Sequence, residues 1–132
     1  MVALSQWAAG HDAHVRLGQA PLDVRFRPGR ILQPDAFVLF ARVAEDHDGP
    51  IDAVLELCIE VLSRDRAYDR ITKRLIYAEA GVREYWAVEQ SGLVERWTGD
   101  RLDQSQEIVD ELTSSLLPGF RLDLSVLFHR AA

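Results

Sequence analysis

A strand is predicted by the stretch Leu55-Glu56-Leu57-Cys58-Ile59-Glu60-Val61-Leu62-Ser63, and this stretch decides the fold because a helical period begins directly behind it. Its side chains alternate between a wholly aliphatic side and a side that carries Glu56 and Glu60. Carboxylates beside a core are costly to bury unless they are paired or bound to a cation. The two acids therefore predict either a solvated surface or a site that a cation completes.

The helix that follows presents Asp69, Lys73 and Tyr77 at steps of four residues. An acid-bearing strand joined to a helix with a lysine can hold a divalent metal and a phosphate. The simpler interpretation is an ion pair between Asp69 and Lys73, worth about 0.2–0.5 kcal/mol. Lys73 is the only lysine among fifteen basic residues, and lysine can lose its proton when buried, which arginine cannot.

Length and composition predict a single domain over residues 1–132. A hydrophobic content of 48% and a charged content of 27% are those of an ordinary soluble globular protein. No apolar run approaches the roughly 18 residues of a membrane span, and no signal peptide is recognisable at the N-terminus. The one cysteine, Cys58, allows no internal disulfide, so we expect a cytoplasmic protein without membrane contact.

Charge is distributed unevenly along the chain. The net charge of −6 argues against an indiscriminate nucleic-acid binder. Residues 45–60 contain six acids and no base, whereas residues 64–83 contain six bases and three acids. This pattern suits a metal site beside a phosphate-binding surface, although on charge alone a solvated loop and a solvated helix surface are the favoured explanation. The candidates for nucleic-acid contact are the helix arginines Arg66, Arg70 and Arg74.

A second acid-bearing strand is predicted upstream. Residues 22–27 alternate as a half-buried strand, and the turn at residues 28–29 predicts a hairpin with the strand at residues 31–40. Asp35 is the single charge in that second strand, and it either caps a turn or has a function. If the two strands lie side by side, Asp35 and Glu60 converge.

The remaining elements follow from the same patterns. Residues 2–15 predict a helix, and the helix after Ser63 ends before Gly81. Residues 84–88 and 93–97 predict two antiparallel strands, and the tail predicts a short strand with a terminal helical turn. The buried stripe of the central helix is predicted to consist of Tyr68, Ile71, Leu75 and Ala78.

Asp35, Glu60 and Lys73 together supply the parts that metal-dependent phosphodiester cleavage needs. Mg²⁺ characteristically uses one or two protein carboxylates, with water and substrate phosphate as the other ligands. The cation lowers the pKa of a bound water and offsets charge on the phosphate. A nearby lysine can orient that water or stabilise the developing charge.

Short motifs also occur in a specific order between about Pro21 and Phe128: Gln33-Pro34-Asp35, Glu60-Val61-Leu62-Ser63, Tyr68-Asp69-Arg70, Lys73, Tyr77, Gly81-Val82-Arg83-Glu84-Tyr85-Trp86 and Leu117-Pro118-Gly119. In this combination the chain resembles the Uma-two family of restriction-endonuclease-like proteins, within the PD-(D/E)XK nuclease superfamily. The resemblance implies an α/β fold with a restriction-endonuclease-like core, in which a central mixed β-sheet is flanked by helices. It also implies Mg²⁺, or Mn²⁺, as the metal.

The resemblance implies that Asp35 corresponds to the aspartate of the PD motif and Glu60 to the acid of (D/E)XK. It therefore implies that both residues are metal ligands. Leu62 stands where that motif has its lysine. In this family the role of the lysine is thought to move to the helix, which places it on Lys73, with Asp69 and Tyr77 in support.

Two functions stay open at this point. The first is a Mg²⁺-dependent endonuclease, a hydrolase that cleaves phosphodiester bonds of DNA. The second is a catalytically inactive nuclease-fold module that binds or regulates, as a homodimer. The front part is shorter than in relatives, which usually carry a further glutamate there, so a second protomer is one way to complete the site. If Asp35 and Glu60 lie within about 5–6 Å with Lys73 facing them, the first function is favoured.

Overall fold

A computed structural model describes residues 6, 16–19, 24–26, 30–32, 34–39, 55–62, 67–89 and 91–127. The elements in these ranges, in chain order, are β1 (Arg16–Gln19), β2 (Val24–Phe26), β3 (Arg30–Leu32), β4 (Ala36–Leu39), β5 (Leu57–Val61), α1 (Ala67–Glu79), β6 (Glu84–Val88), β7 (Val94–Thr98), β8 (Gln104–Ile108), β9 (Glu111–Leu112), β10 (Leu122–Asp123) and α2 (Leu124–Leu127). The helix predicted for residues 2–15 lies outside the described residues, apart from the helical Gln6.

Six of these strands form one mixed sheet, in the order β1-β4-β5-β6-β7-β8. Strands β5 and β6 are parallel, and every other neighbouring pair in this sheet is antiparallel. Helix α1 follows β5 and precedes β6, so it is the crossover that a parallel pair requires. This arrangement confirms the predicted α/β fold with a central mixed sheet.

Strand β5 lies in the middle of the sheet, where both of its sides are covered. One hydrophobic cluster lies on the side of α1 and includes Phe37, Cys58, Ile76, Tyr77, Ala80 and Tyr85. The other lies on the opposite side, where the C-terminal segment packs, and includes Val38, Leu57, Ile59, Trp86, Leu117, Phe120 and Leu124. Burial on both sides explains why β5 is rich in apolar residues.

The strand predicted for residues 31–40 is two strands. A bend at Asp35, directly after Pro34, separates β3 from β4, and the two belong to different sheets. The prediction of one strand was wrong because a proline cannot donate to a ladder, so the chain leaves one sheet and enters another there. The predicted hairpin is confirmed, since β2 pairs with β3 in antiparallel register.

Helix α1 ends as the sequence predicts, but it buries a different side. Gly81 follows the helix with a φ of 86°, and its N–H donates to the carbonyl of Ala78 over 3.1 Å, as at a glycine-terminated helix. Ile71 and Leu75, which were predicted to be buried, are 51% and 55% exposed. Ile76, Tyr77 and Ala80 are buried instead.

The side of α1 that faces the sheet also includes Lys73, which lies one turn before Tyr77. A polar residue pointing inward breaks the rule that the apolar stripe marks the buried side. The stripe that includes Ile71 and Leu75 has the right helical spacing, which is why the sequence pattern selected it. The predicted stripe was therefore wrong at Ile71 and Leu75, whereas Ala78 is partly buried against the cluster on the side of α1. The side chain of Tyr68 lies outside the described residues.

The C-terminal half agrees with the sequence patterns. Strands β6 and β7 pair antiparallel around a turn in which Gly92 has a φ of 97°. Strand β10 runs directly into the short helix α2, as predicted for the tail. In the part of the chain that the structure describes, no helix has the length and apolar character needed to cross a membrane.

Candidate active site

Asp35 and Glu60 meet where β4 begins and β5 ends. The antiparallel register pairs Ala36 with Ile59 and Phe37 with Cys58, so the next step of that register brings Asp35 opposite Glu60. Phe37 and Cys58 contribute to the cluster on the side of α1, and alternation puts Asp35 and Glu60 on that same side. The two acids therefore converge, as the sequence patterns suggested.

Asp35 is attached to the backbone of the neighbouring strand. Its Oδ2 accepts a hydrogen bond of 2.7 Å from the N–H of Val61. A backbone donor is fixed by the sheet, so this bond orients the carboxylate of Asp35 toward β5. Asp35 therefore lies beside Glu60, and its functional role stays a prediction.

Glu60 is almost completely buried, with 2% of its surface exposed. The hydroxyl of Tyr77 donates a hydrogen bond to Oε1 of Glu60, and Nζ of Lys73 lies 3.4 Å from Oε2. Both partners come from α1, one turn apart, so the helix supplies a donor to each oxygen. The predicted meeting of Glu60, Lys73 and Tyr77 is present in the structure.

The pKa of Glu60 is raised from 4.5 to about 7, chiefly because burial removes water from the carboxylate. The hydrogen bond from Tyr77 and the positive charge of Lys73 act in the opposite direction, whereas the neighbouring Asp35 raises the pKa further. The two carboxyl groups are neighbours on one side of the sheet. Their negative charge is only partly offset by Lys73.

The floor of the site is apolar and uncharged. Tyr77 is fully buried, and its ring meets that of Tyr85 edge-on with centroids 5.5 Å apart. Burial raises the pKa of the Tyr77 hydroxyl, so it stays protonated and acts as a donor. Burial, and then the charge of Glu60, likewise raise the pKa of the Cys58 thiol, which stays neutral.

The donor set fits a hard divalent cation. Two neighbouring carboxyl groups, one of them buried, give a local excess of negative charge that a cation would relieve. Mg²⁺ is commonly held by one or two carboxylates plus water. Among the described residues there is no cluster of three or more His, Cys, Asp or Glu side chains suited to a metal, so nothing there resembles a four-ligand zinc centre.

The structure describes the other residues predicted for the site only in part. Asp69 and Arg70 lie in α1, but their side chains are outside the described residues, as is the whole of Arg66. Arg74 faces the interior of the fold, because its guanidinium lies 4.3 Å from the centroid of the Trp97 ring. Its Nη1 also donates to the carbonyl of Leu102 over 2.9 Å. Nucleic-acid contact by these arginines stays a prediction.

One buried acid was not singled out from the sequence. Glu84 is 2% exposed, and its Oε2 accepts a hydrogen bond of 2.6 Å from Nε1 of Trp86. Burial raises the pKa of Glu84, against the lowering effect of hydrogen bonds from Ser114 and Trp86. Trp86 belongs to the cluster on the side away from α1, so Glu84 is separated from Glu60 by the sheet. Alternation along β6 predicts that Glu84 and Trp86 lie on the same side of the strand. It does not predict that Glu84 is buried.

The mixed sheet with its crossover helix defines a class of fold, and a solved nuclease structure shares it. The crystal structure of a putative nuclease belonging to DUF820 from Anabaena variabilis ATCC 29413 is similar with a TM-score of 0.72, at 17% sequence identity. The match covers 96% of this chain and 74% of the other. At this identity the likeness establishes the α/β restriction-endonuclease-like fold.

The family is shown by sequence. A model of the Uma2 family, described as putative restriction endonuclease, matches residues 1–125. This chain therefore belongs to the Uma2 family, which confirms the resemblance drawn from its motifs. Among curated proteins none matches the chain significantly. Family and fold together support a nuclease-type function.

Proposed function

We propose that this protein is a Mg²⁺- or Mn²⁺-dependent endonuclease that hydrolyses phosphodiester bonds of DNA. The observation that carries the proposal is the convergence of Asp35 and buried Glu60 on one side of the sheet, with Nζ of Lys73 3.4 Å from Oε2 of Glu60. Membership of a family described as putative restriction endonuclease supports the choice of reaction. The placement of both acids on the same side of the sheet supports the proposal.

Asp35 and Glu60 are the residues that would hold the metal. Both present oxygen atoms, which are the ligands that Mg²⁺ and Mn²⁺ prefer. A bound divalent ion supplies a water of lowered pKa and positive charge beside the scissile phosphate. The burial of Glu60 keeps bulk water away from one side of the site, which strengthens electrostatic interactions there.

Lys73 is the residue that would act on the substrate. Its Nζ lies 3.4 Å from Oε2 of Glu60 while its side chain is 19% exposed, so Lys73 lies beside the buried acid without being fully buried itself. From there it can orient the attacking water or stabilise charge that develops on the phosphate. Tyr77 holds Glu60 in place through its hydrogen bond to Oε1, and Asp69 is proposed as a further support.

DNA is the proposed partner even though the net charge of the chain is −6. Phosphate contacts are made mainly by arginine and lysine side chains, and the sequence around Lys73 contains Arg66, Arg70 and Arg74. Arg66 and Arg70 are the proposed phosphate contacts. Arg74 is proposed with them, although the guanidinium already binds Trp97 and Leu102 within the fold.

A second candidate function is a catalytically inactive module that binds or regulates as a homodimer. One observation favours it, namely that Ile71 and Leu75 are each about half exposed on the outer side of α1. Exposed apolar residues of this kind are common at protein interfaces. Sedimentation equilibrium on the wild type and on an Ile71→Ser/Leu75→Ser double variant would show whether this surface pairs two chains.

The test of catalysis is cleavage of a supercoiled plasmid and of a labelled duplex, with Mg²⁺, with Mn²⁺ and with EDTA. We expect cleavage by the wild type that EDTA abolishes, and no detectable cleavage by Glu60→Gln or Asp35→Asn. Glu56→Gln is the matched control, because Glu56 lies one strand step before β5 and pairs weakly with Arg83 at 4.0 Å. Equal cleavage by wild type and Glu60→Gln would remove Glu60 from the reaction.

A further inference from the structure

We infer that Tyr77 makes the acid pair selective for Mg²⁺ over Ca²⁺ by reserving one oxygen of Glu60 for a protein hydrogen bond. The inference rests on the proposed metal site and concerns which cation that site takes. It assigns Tyr77 a role as a specificity-determining residue, beyond holding Glu60 in place.

One oxygen of each carboxylate accepts a hydrogen bond from a donor held by the core of the fold. Oδ2 of Asp35 accepts the N–H of Val61 over 2.7 Å, and Oε1 of Glu60 accepts the hydroxyl of Tyr77. The oxygens not engaged in these two bonds are Oδ1 of Asp35 and Oε2 of Glu60. Lys73, at 3.4 Å from Oε2, approaches Glu60 from the side of that second oxygen.

The two cations differ in how they use carboxylates. Ca²⁺ takes six to eight oxygen ligands in flexible geometry and commonly binds both oxygens of one carboxylate. Mg²⁺ demands an octahedron of short bonds, keeps several waters and needs only one or two protein carboxylates. A pair of carboxylates that each keep one oxygen for the protein therefore disfavours Ca²⁺ more than Mg²⁺.

Tyr77 is suited to enforce this restriction because it is immobile. Its side chain is fully buried, and its ring packs edge-on against that of Tyr85. Its backbone carbonyl accepts the N–H of Val82 over 3.0 Å at the end of α1. A hydroxyl on a buried ring that is packed in this way has little room to turn aside when a larger cation arrives.

The experiment compares the binding of Mg²⁺ and Ca²⁺, without DNA, by isothermal titration calorimetry. Tyr77→Phe deletes only the hydroxyl, and Tyr85→Phe is the matched control because it removes the hydroxyl of the adjoining buried ring. Partners of metal ligands commonly change metal affinity by about 10- to 100-fold when they are mutated. We expect the wild type to bind Mg²⁺ more tightly than Ca²⁺, and Tyr77→Phe to reduce that preference by about tenfold or more.

Several outcomes oppose the inference. A Tyr77→Phe variant that weakens both cations by the same factor would show a purely structural role for Tyr77. A wild type that prefers Ca²⁺ would overturn the inference even if the Tyr77→Phe variant did not fold. An equal loss of the Mg²⁺ preference in Tyr85→Phe would show that the Tyr77 hydroxyl is not the source of that preference. Failure of the wild type to bind either cation would instead overturn the proposed metal site itself. Binding with unchanged preference in Tyr77→Phe leaves the proposed function standing and refutes only the role of Tyr77.

Discussion

Replacing Glu60 by glutamine should make the metal-free protein more stable at pH 8. The folded pKa of Glu60 is about 7 against an ordinary value of 4.5, so the folded state binds the proton more tightly than the unfolded chain does. Stability from this group is therefore greatest below pH 4.5 and is lost as the pH rises through about 7. A functional acid thus destabilises the fold at the pH at which it would bind a cation.

The size of the effect follows from the shift in pKa. Each pKa unit corresponds to about 1.4 kcal/mol, so a shift from 4.5 to about 7 corresponds to roughly 3 kcal/mol for this almost fully buried group. Glutamine has the same shape and still accepts the Tyr77 hydrogen bond, but it has no charge to pair with Lys73. We therefore expect Glu60→Gln to raise the free energy of unfolding at pH 8 by about 1–3 kcal/mol.

Urea unfolding in EDTA, repeated at pH 4.5, 6 and 8, measures this difference. The gain of Glu60→Gln over wild type should be small at pH 4.5 and grow steadily to pH 8, while Glu56→Gln should follow the wild type at each pH. A Glu60→Gln variant that is less stable than wild type at pH 8 would refute the reasoning. A difference that does not change with pH would refute it as well.

Three further predictions concern other residues. Glu84→Gln should gain stability over wild type as the pH rises above the ordinary range of a carboxyl group, because burial raises the pKa of Glu84. Thermal melts at pH 4 and 8 should show this gain only at pH 8, and a gain at pH 4 would contradict the raised pKa of Glu84. Lys73→Met should lower the cleavage rate by about a hundredfold or more while Mg²⁺ binding persists, and single-turnover cleavage together with calorimetry would separate the two effects. Arg74→Met should lower the free energy of unfolding by about 1–2 kcal/mol, since it removes the contacts with Trp97 and the Leu102 carbonyl; an unchanged urea midpoint would show that these contacts contribute nothing.

The convergence of the site could be predicted from local patterns. Alternation along residues 55–63 placed Glu60 on one side of a strand, and helical spacing placed Lys73 and Tyr77 on one side of a helix. Since the helix lies directly behind the strand in sequence, short-range geometry was sufficient. Asp35 was harder, because its position opposite Glu60 depends on the pairing of strands distant in sequence.

Other parts of the site could not be predicted because they depend on long-range contacts. The hydrogen bond from Val61 to Asp35 comes from a backbone N–H, which has no signature in the sequence. The inward side of α1 was assigned wrongly because Ile71 and Leu75 have the spacing of a core stripe while being about half exposed. A helix that turns a lysine toward a buried acid reverses the pattern on which such assignments depend.

The most direct measurement is paramagnetic broadening of the backbone amide signals by substoichiometric Mn²⁺ in a ¹⁵N-labelled sample. If Asp35 and Glu60 hold the ion, the signals of these residues and of Ala36 and Val61 should broaden first, and Mg²⁺ in excess should restore them. Glu60→Gln should abolish the effect. Broadening centred on the opposite side of the sheet, around Glu84, or unchanged broadening in Glu60→Gln, would contradict the assignment of the metal to this acid pair.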